Sequence, residues 1–153
     1  MLRTIASFTL ALTLILCLSA YTQQEDSWLT NLKTASEQSQ QTNRPILLNF
    51  SGSDWCANCL RLKKEVFSSE AFTKYADTSL VLVHADFPRM KKNRLPQEQQ
   101  AYNDSLASVY NPNGIFPYVV LLNSEGVVLG ESSYFPGGLE ALQTKVVAWT
   151  TAK

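Results

Sequence analysis

Cys56 and Cys59 stand two residues apart in "SGSDWCANCLRL", Ser51 to Leu62, directly behind Trp55 and after an apolar run. Two cysteines at that spacing serve three chemistries: half of a metal site, a structural disulfide, or a dithiol that opens and closes. A structural zinc site takes about four nitrogen or sulfur ligands. Beyond this pair the chain offers only Cys17, near its start, and one histidine, His84. An intrachain zinc site is therefore the poorest fit, and no metal is expected. A permanent staple fits little better, because a disulfide that closes so short a loop restricts the unfolded chain little. Reversible redox chemistry leads.

The neighbouring elements support that order. "ILLNFS" (Ile46 to Ser51) reads as a buried strand, and from Cys56 onward "CANCLRLKKEVF" has no Gly or Pro and divides into apolar and charged faces at helical spacing. The pair thus falls at a strand-to-helix junction. At a helix start, unpaired N–H groups and the positive end of the helix dipole favour a thiolate. Cys-X-X-Cys nucleophiles in this setting have pKa values of roughly 3.5 to 7.5, against about 8.5 for a free cysteine. Cys56 is then the attacking sulfur, and Cys59, one turn further in, resolves the mixed disulfide.

Elsewhere the pattern alternates helix and strand. Trp28, Leu32 and Ala35 at helical intervals behind Asp26 or Ser27 predict a first helix that ends before Arg44-Pro45. Ser69 opens a short helix over "EAFTKYA"; "LVLVHADF" (Leu80 to Phe87) is the second strand; Pro96 starts a helix that runs to Tyr110. Tyr118 to Leu122, a turn at Asn123 to Gly126, and Val127 to Gly130 form a hairpin, and the chain closes with a helix carrying Leu139, Leu142, Val146 and Trp149 on one face. The order α β α β α β β α predicts parallel pairing of the early strands and an antiparallel final pair.

The chain's 153 residues suit one domain, and 45% hydrophobic residues are ordinary for a globular protein. Thirteen basic residues balance thirteen acidic ones, so no net field favours nucleic acid, and none is expected as a partner. The N-terminus differs in kind: Arg3 is the only charge before Glu25, an apolar run spans Ile5 to Leu18, and "LSA" ends at Ala20 before polar "YTQQED". This predicts a signal peptide over residues 1–20 and a domain over 21–153. The run is about 14 residues, short of the roughly 20 that span a bilayer. An uncleaved anchor and lipidation at Cys17 are the alternatives, the latter opposed by bulky Leu16 where a small residue is the pattern.

"WCANC" after a strand and before a helix resembles the active site of the thioredoxin superfamily, and the element order is similar over essentially the whole chain after the signal. The longer string "FSGSDWCANCLRLKKEVFSSEAF", with "LVLVHADFPR" downstream, resembles exported bacterial thioredoxin-like proteins and the C-terminal domain of the periplasmic transmembrane disulfide reductase. The resemblance implies an α/β fold: a three-layer sandwich with a mixed central sheet flanked by helices. It implies a cis-proline facing the dithiol, for which "IFPYVVLL" supplies Phe116-Pro117, and a substrate segment laid along it. Base rates alone favour trans, since only about 5–6% of X–Pro bonds in folded proteins are cis. Trp55 is expected to shield the dithiol and offer substrate an apolar surface, against the alternative of core packing; Phe116, Tyr134 and Phe135 are candidates to extend that surface.

Two departures limit the comparison. Ala57-Asn58 stand where thioredoxin has Gly-Pro, and Asn49 stands where thioredoxin has a buried Asp that assists proton transfer. Asp54, Glu65, Asp86 and His84 are candidate substitutes by proximity in sequence, though a solvated or packed role fits each of them better. The run Arg89 to Arg94 reads as a solvated basic loop. The expected function is exported thiol:disulfide exchange at Cys56 and Cys59, in the reducing direction. Oxidase or isomerase activity, and a non-catalytic binding or chaperone module, are the rivals. Disulfide-containing protein substrates, a membrane or periplasmic electron donor, a monomer, and no cofactor complete the expectation.

Overall fold

The computed structural model describes residues 28–152. The expected signal peptide over residues 1–20, with Cys17 in it, lies outside the described residues. The described chain begins with a short strand β1 (Trp28–Leu29), then helix α1 (Leu32–Thr42), β2 (Ile46–Ser51) and α2 (Ala57–Leu62), which runs on as a π-helical turn, Lys63–Phe67. There follow α3 (Glu70–Ser79), β3 (Val81–Asp86), a 3₁₀ turn at Lys91–Asn93, α4 (Gln97–Tyr110), the hairpin strands β4 (Tyr118–Leu122) and β5 (Val128–Ser132), and α5 (Gly138–Thr151).

The strands form one mixed sheet in the order β1-β3-β2-β4-β5. β1 and β2 flank β3 in parallel, while β4 runs antiparallel to both β2 and β5. Every residue of β2 is buried, as a central strand covered on both faces requires. On one face Leu47, Leu82, Val119 and Leu121 meet Leu62, Val66, Phe72, Ala76, Leu142 and Val146 from α2, the π turn, α3 and α5. On the other, Ile46, Leu48, Val83 and Val120 meet Ala35 and Leu106 from α1 and α4. The result is the three-layer α/β sandwich with a mixed sheet.

The start of the chain corrects the sequence expectation. Trp28 is not in the first helix: it pairs with Leu82 on the sheet edge, and α1 begins at Leu32. Asn31 supplies the reason, since its Oδ1 accepts from the N–H groups of Lys33 (2.9 Å) and Thr34 (3.2 Å), capping the helix there. Trp28 then packs on Phe67, Phe72 and His84. Asn43, at φ 54°, closes α1 ahead of Pro45. Ser69 caps α3 as expected, its Oγ accepting from Phe72 N at 3.1 Å.

The helix after the dithiol also departs from a plain α pattern. Ser68 N donates to Lys63 O at 2.8 Å, a bond across five residues, and widens the last turn. In a wider turn, positions four and five residues past Leu62 both face the sheet. Val66 is accordingly buried, and Phe67 reaches the ring of Trp28, 5.1 Å away.

Candidate active site

The buried strand β2 ends at Ser51, and Gly52 to Trp55 form a tight loop in which Cys56 N donates to Gly52 O at 3.0 Å. Cys56 is the N-cap residue of α2, with extended backbone. Its Sγ accepts from Cys59 N at 3.2 Å, so the sulfur takes the place that a capping oxygen ordinarily holds. Cys56 and Cys59 form a disulfide with Cα atoms 5.2 Å apart. Both are buried, at 6% and 5% exposure.

Antiparallel pairing of β2 with β4 sets Phe50 opposite Tyr118, so Phe116 and Pro117 fall just beyond the end of β2, beside the cysteine loop. The Phe116–Pro117 peptide bond is cis. The Phe116 ring lies edge-on to both Trp55 and Phe87, 5.4 Å from each. Trp55 is held from the other side: its Nε1–H donates to Phe87 O at 2.7 Å, and the Arg89 guanidinium sits 3.6 Å from the ring centroid. All five residues singled out from the sequence, Trp55, Cys56, Cys59, Phe116 and Pro117, meet at this end of the sheet. Tyr134 and Phe135 do not join them: Phe135 is buried in the core, and the Tyr134 ring stacks under Arg61.

The acidic candidates are occupied. Glu65 pairs with Arg61 Nε at 2.8 Å on the exposed side of the helix. Asp86 accepts from Ser53 N at 2.9 Å and from the Ser53 hydroxyl. Asp54 accepts from Arg89 N (2.9 Å), Met90 N (3.0 Å) and Asn93 Nδ2 (2.9 Å). The Arg89–Arg94 segment is exposed, as the sequence suggested, but Asp54 clamps its start against the dithiol loop. Arg89 is thereby a site neighbour that a basic run alone does not reveal.

The Arg89 N–H, with the Asn93 amide and the Met90 N–H, holds the Asp54 carboxyl below its ordinary value, against the opposing effect of desolvation. The clamp is therefore intact above the ordinary carboxylate range and is lost as pH falls through the lowered value. Amide exchange at Arg89 and Met90, corrected for intrinsic rates, should show protection above about pH 4 that vanishes on further acidification. Unchanged protection of both amides in Asp54→Ala at neutral pH would refute the clamp.

Among the described residues no group of three or more His, Cys, Asp or Glu side chains is placed to hold a metal ion. The sequence model of the thioredoxin-like family matches residues 27–124. The chain belongs to that family. This thioredoxin-like chain is 38% identical over 112 residues to the disulfide bond reductase DsbH of Chlamydia pneumoniae, an alignment covering 73% of the chain and 66% of the relative. It is 29% identical over 126 residues to the thioredoxin-related protein DsbJ of the same organism, covering 81% of the chain and 35% of that protein. It thus spans under two thirds of the length of either relative. A solved DsbH oxidoreductase superimposes with a TM-score of 0.72 at 32% identity, covering 87% of this chain and 94% of that one. The thioredoxin-like chain thus resembles, in sequence and in fold, a relative named as a disulfide bond reductase and a solved oxidoreductase.

Proposed function

We propose that the protein is an exported thiol:disulfide oxidoreductase that reduces disulfides in protein substrates, with Cys56 as nucleophile and Cys59 as resolving thiol. The observation that carries this reading is the donation from Cys59 N to Cys56 Sγ at the start of α2, which favours negative charge on that sulfur in the dithiol form. In the dithiol form, the Cys56 thiolate attacks one sulfur of a substrate disulfide. The mixed disulfide forms, and the other substrate sulfur leaves with the electron pair and takes a proton. Cys59, as thiolate, then attacks Cys56 Sγ; the second substrate sulfur leaves, and the protein is left with the Cys56–Cys59 disulfide. Two electrons have moved to the substrate.

An extended substrate segment lies along Phe116 and Pro117, with the Trp55 ring as apolar floor beside the reacting sulfurs. Return to the dithiol requires two electrons from a membrane or periplasmic donor, because an exported protein works in an oxidising compartment. Identity to a disulfide bond reductase supports the reducing direction. Equilibration of the full chain with glutathione redox buffers tests it. A potential near about −270 mV is expected, and one near about −120 mV would make the protein an oxidant instead.

A further inference from the structure

Beneath the dithiol helix, β2 and β3 present alternate side chains to one face, and their parallel register pairs these rung by rung: Leu47 with Leu82, Asn49 with His84, Ser51 with Asp86. The ladder starts in the apolar core and turns polar toward the strand ends that carry the cysteines. A cavity of about 250 Å³ runs along it, with Asn49, Ser51, Ser53, Lys63 and His84 in its wall. Cys59 also lines this cavity, and Cys56 does not. Asn49 is only 6% exposed, and its Oδ1 is buried without a hydrogen bond from any described residue. A buried amide oxygen left without a donor is costly. A polar cavity of this size has room for water that would supply one.

We infer that this cavity is the proton path of the resolving cysteine: water bound to Asn49 Oδ1 carries the Cys59 proton to the imidazole of His84. The inference rests on the exchange reaction proposed above and concerns its second half. In the mixed disulfide between Cys56 and substrate, the Cys59 S–H bond breaks, its proton passes through the water to a ring nitrogen of His84, and the sulfur keeps the electron pair. The Cys59 thiolate forms the bond to Cys56 Sγ as the bond from Cys56 to substrate breaks. The departing substrate thiolate takes its proton from solvent, and His84 returns the one it holds to solvent through the cavity.

The other polar groups in the wall cannot take that role. Asn49 and the serine hydroxyls are not bases near neutral pH, and the Lys63 ammonium has no lone pair, although its charge favours the thiolate. Asp86 does not line the cavity, and both its carboxylate oxygens accept from Ser53. Lys63 and Cys59 from the helix share the cavity wall with His84, Asp86 lies two residues on along its own strand, the Trp28 ring of β1 packs on it, and the Asn49 amide of β2 is its neighbour in register. Imidazole, with an ordinary pKa of about 6.5, matches the task of a base near neutral pH.

The test separates the two steps. Reduced full-length protein is mixed with a cysteine peptide capped as its thionitrobenzoate disulfide. Attack by Cys56 releases the coloured thiolate, and resolution by Cys59 releases free peptide, counted in acid-quenched samples. The native resolution rate should rise with pH through the imidazole range and then level. In His84→Gln the attack step should be unchanged, and resolution near neutral pH should slow about 10²-fold and climb with pH without that plateau. Adding Asn49→Asp to His84→Gln, which restores a titrating group in the cavity, should recover resolution. A His84→Gln variant with native resolution rate and pH profile would overturn the inference while leaving the exchange reaction standing. No release of the coloured thiolate by the native protein would overturn the exchange reaction itself. Should His84→Gln not fold, NMR titration of His84 in the native protein decides: different midpoints in the dithiol and disulfide forms are expected, and identical ones would refute coupling to Cys59.

Discussion

Cys56→Ser is expected to lose disulfide exchange to the uncatalysed background, and Cys59→Ala to lose turnover while accumulating one substrate-derived mixed disulfide on Cys56. The asymmetry follows from the cap. Cys56 Sγ receives the Cys59 N–H at the positive end of α2, so a thiolate is favoured there, whereas a serine hydroxyl in the same place stays protonated and is no nucleophile toward sulfur. Alanine at 59 keeps that backbone N–H, and with it the nucleophile, but removes the thiol that releases substrate. Mass spectrometry of adducts formed in the native compartment reads both outcomes. Adducts on Cys59 of Cys56→Ser in greater yield than on Cys56 of Cys59→Ala would reverse the two roles. Continued turnover in Cys56→Ser would remove the dithiol from the mechanism altogether.

Gly52→Ala carries the second large effect, because it reaches the site through packing instead of chemistry. A Cβ at Gly52 would lie 2.3 Å from Trp55 Cε2, 2.4 Å from Nε1 and 2.7 Å from Cζ2, all inside any tolerable contact. The indole cannot swing aside freely. It is tied to Phe87 O at 2.7 Å, meets Phe116 edge-on, and lies under Arg89. Relief therefore costs either the indole hydrogen bond or a shift of the loop that presents Cys56. Overpacking of this kind costs about 1–3 kcal/mol. Urea unfolding should show a lower midpoint at unchanged slope, Trp fluorescence should shift in the folded state, and KM for a protein disulfide should rise. Native stability together with a native indole N–H resonance would show that the loop absorbs a methyl group without cost.

The features legible in the sequence were those that short stretches encode. "ILLNFS" and "LVLVHADF" are apolar enough to be strands wherever they sit, Ser69 caps the helix that follows it, and two cysteines with no further ligands near them announce redox chemistry. Phe116-Pro117 was found through resemblance, since nothing local marks that proline. What escaped depended on pairing at a distance. Trp28 has helical spacing to Leu32 and Ala35, yet its register partner in the sheet is Leu82, and Asn31 caps the helix after it. Asn49 and His84 each interrupt an apolar run, and only the register of β2 on β3 makes them adjacent. Arg89 belongs to a run of cations that reads as solvated loop until Asp54 is seen to hold it.

The order of strands in the sheet also sets an order in time. The turn that presents Cys56 closes through contacts between near neighbours, Gly52 O to Cys56 N and Cys56 Sγ to Cys59 N. The wall facing it arrives only with β4, whose partner β2 lies on the far side of α2, α3, β3 and α4 along the chain. Contacts between segments so far apart form slowly compared with local turns. A folding chain is thus expected to close the turn that carries the thiol before it builds the groove that selects what the thiol meets. A disulfide already closed between Cys56 and Cys59 takes both sulfurs out of indiscriminate exchange during that interval.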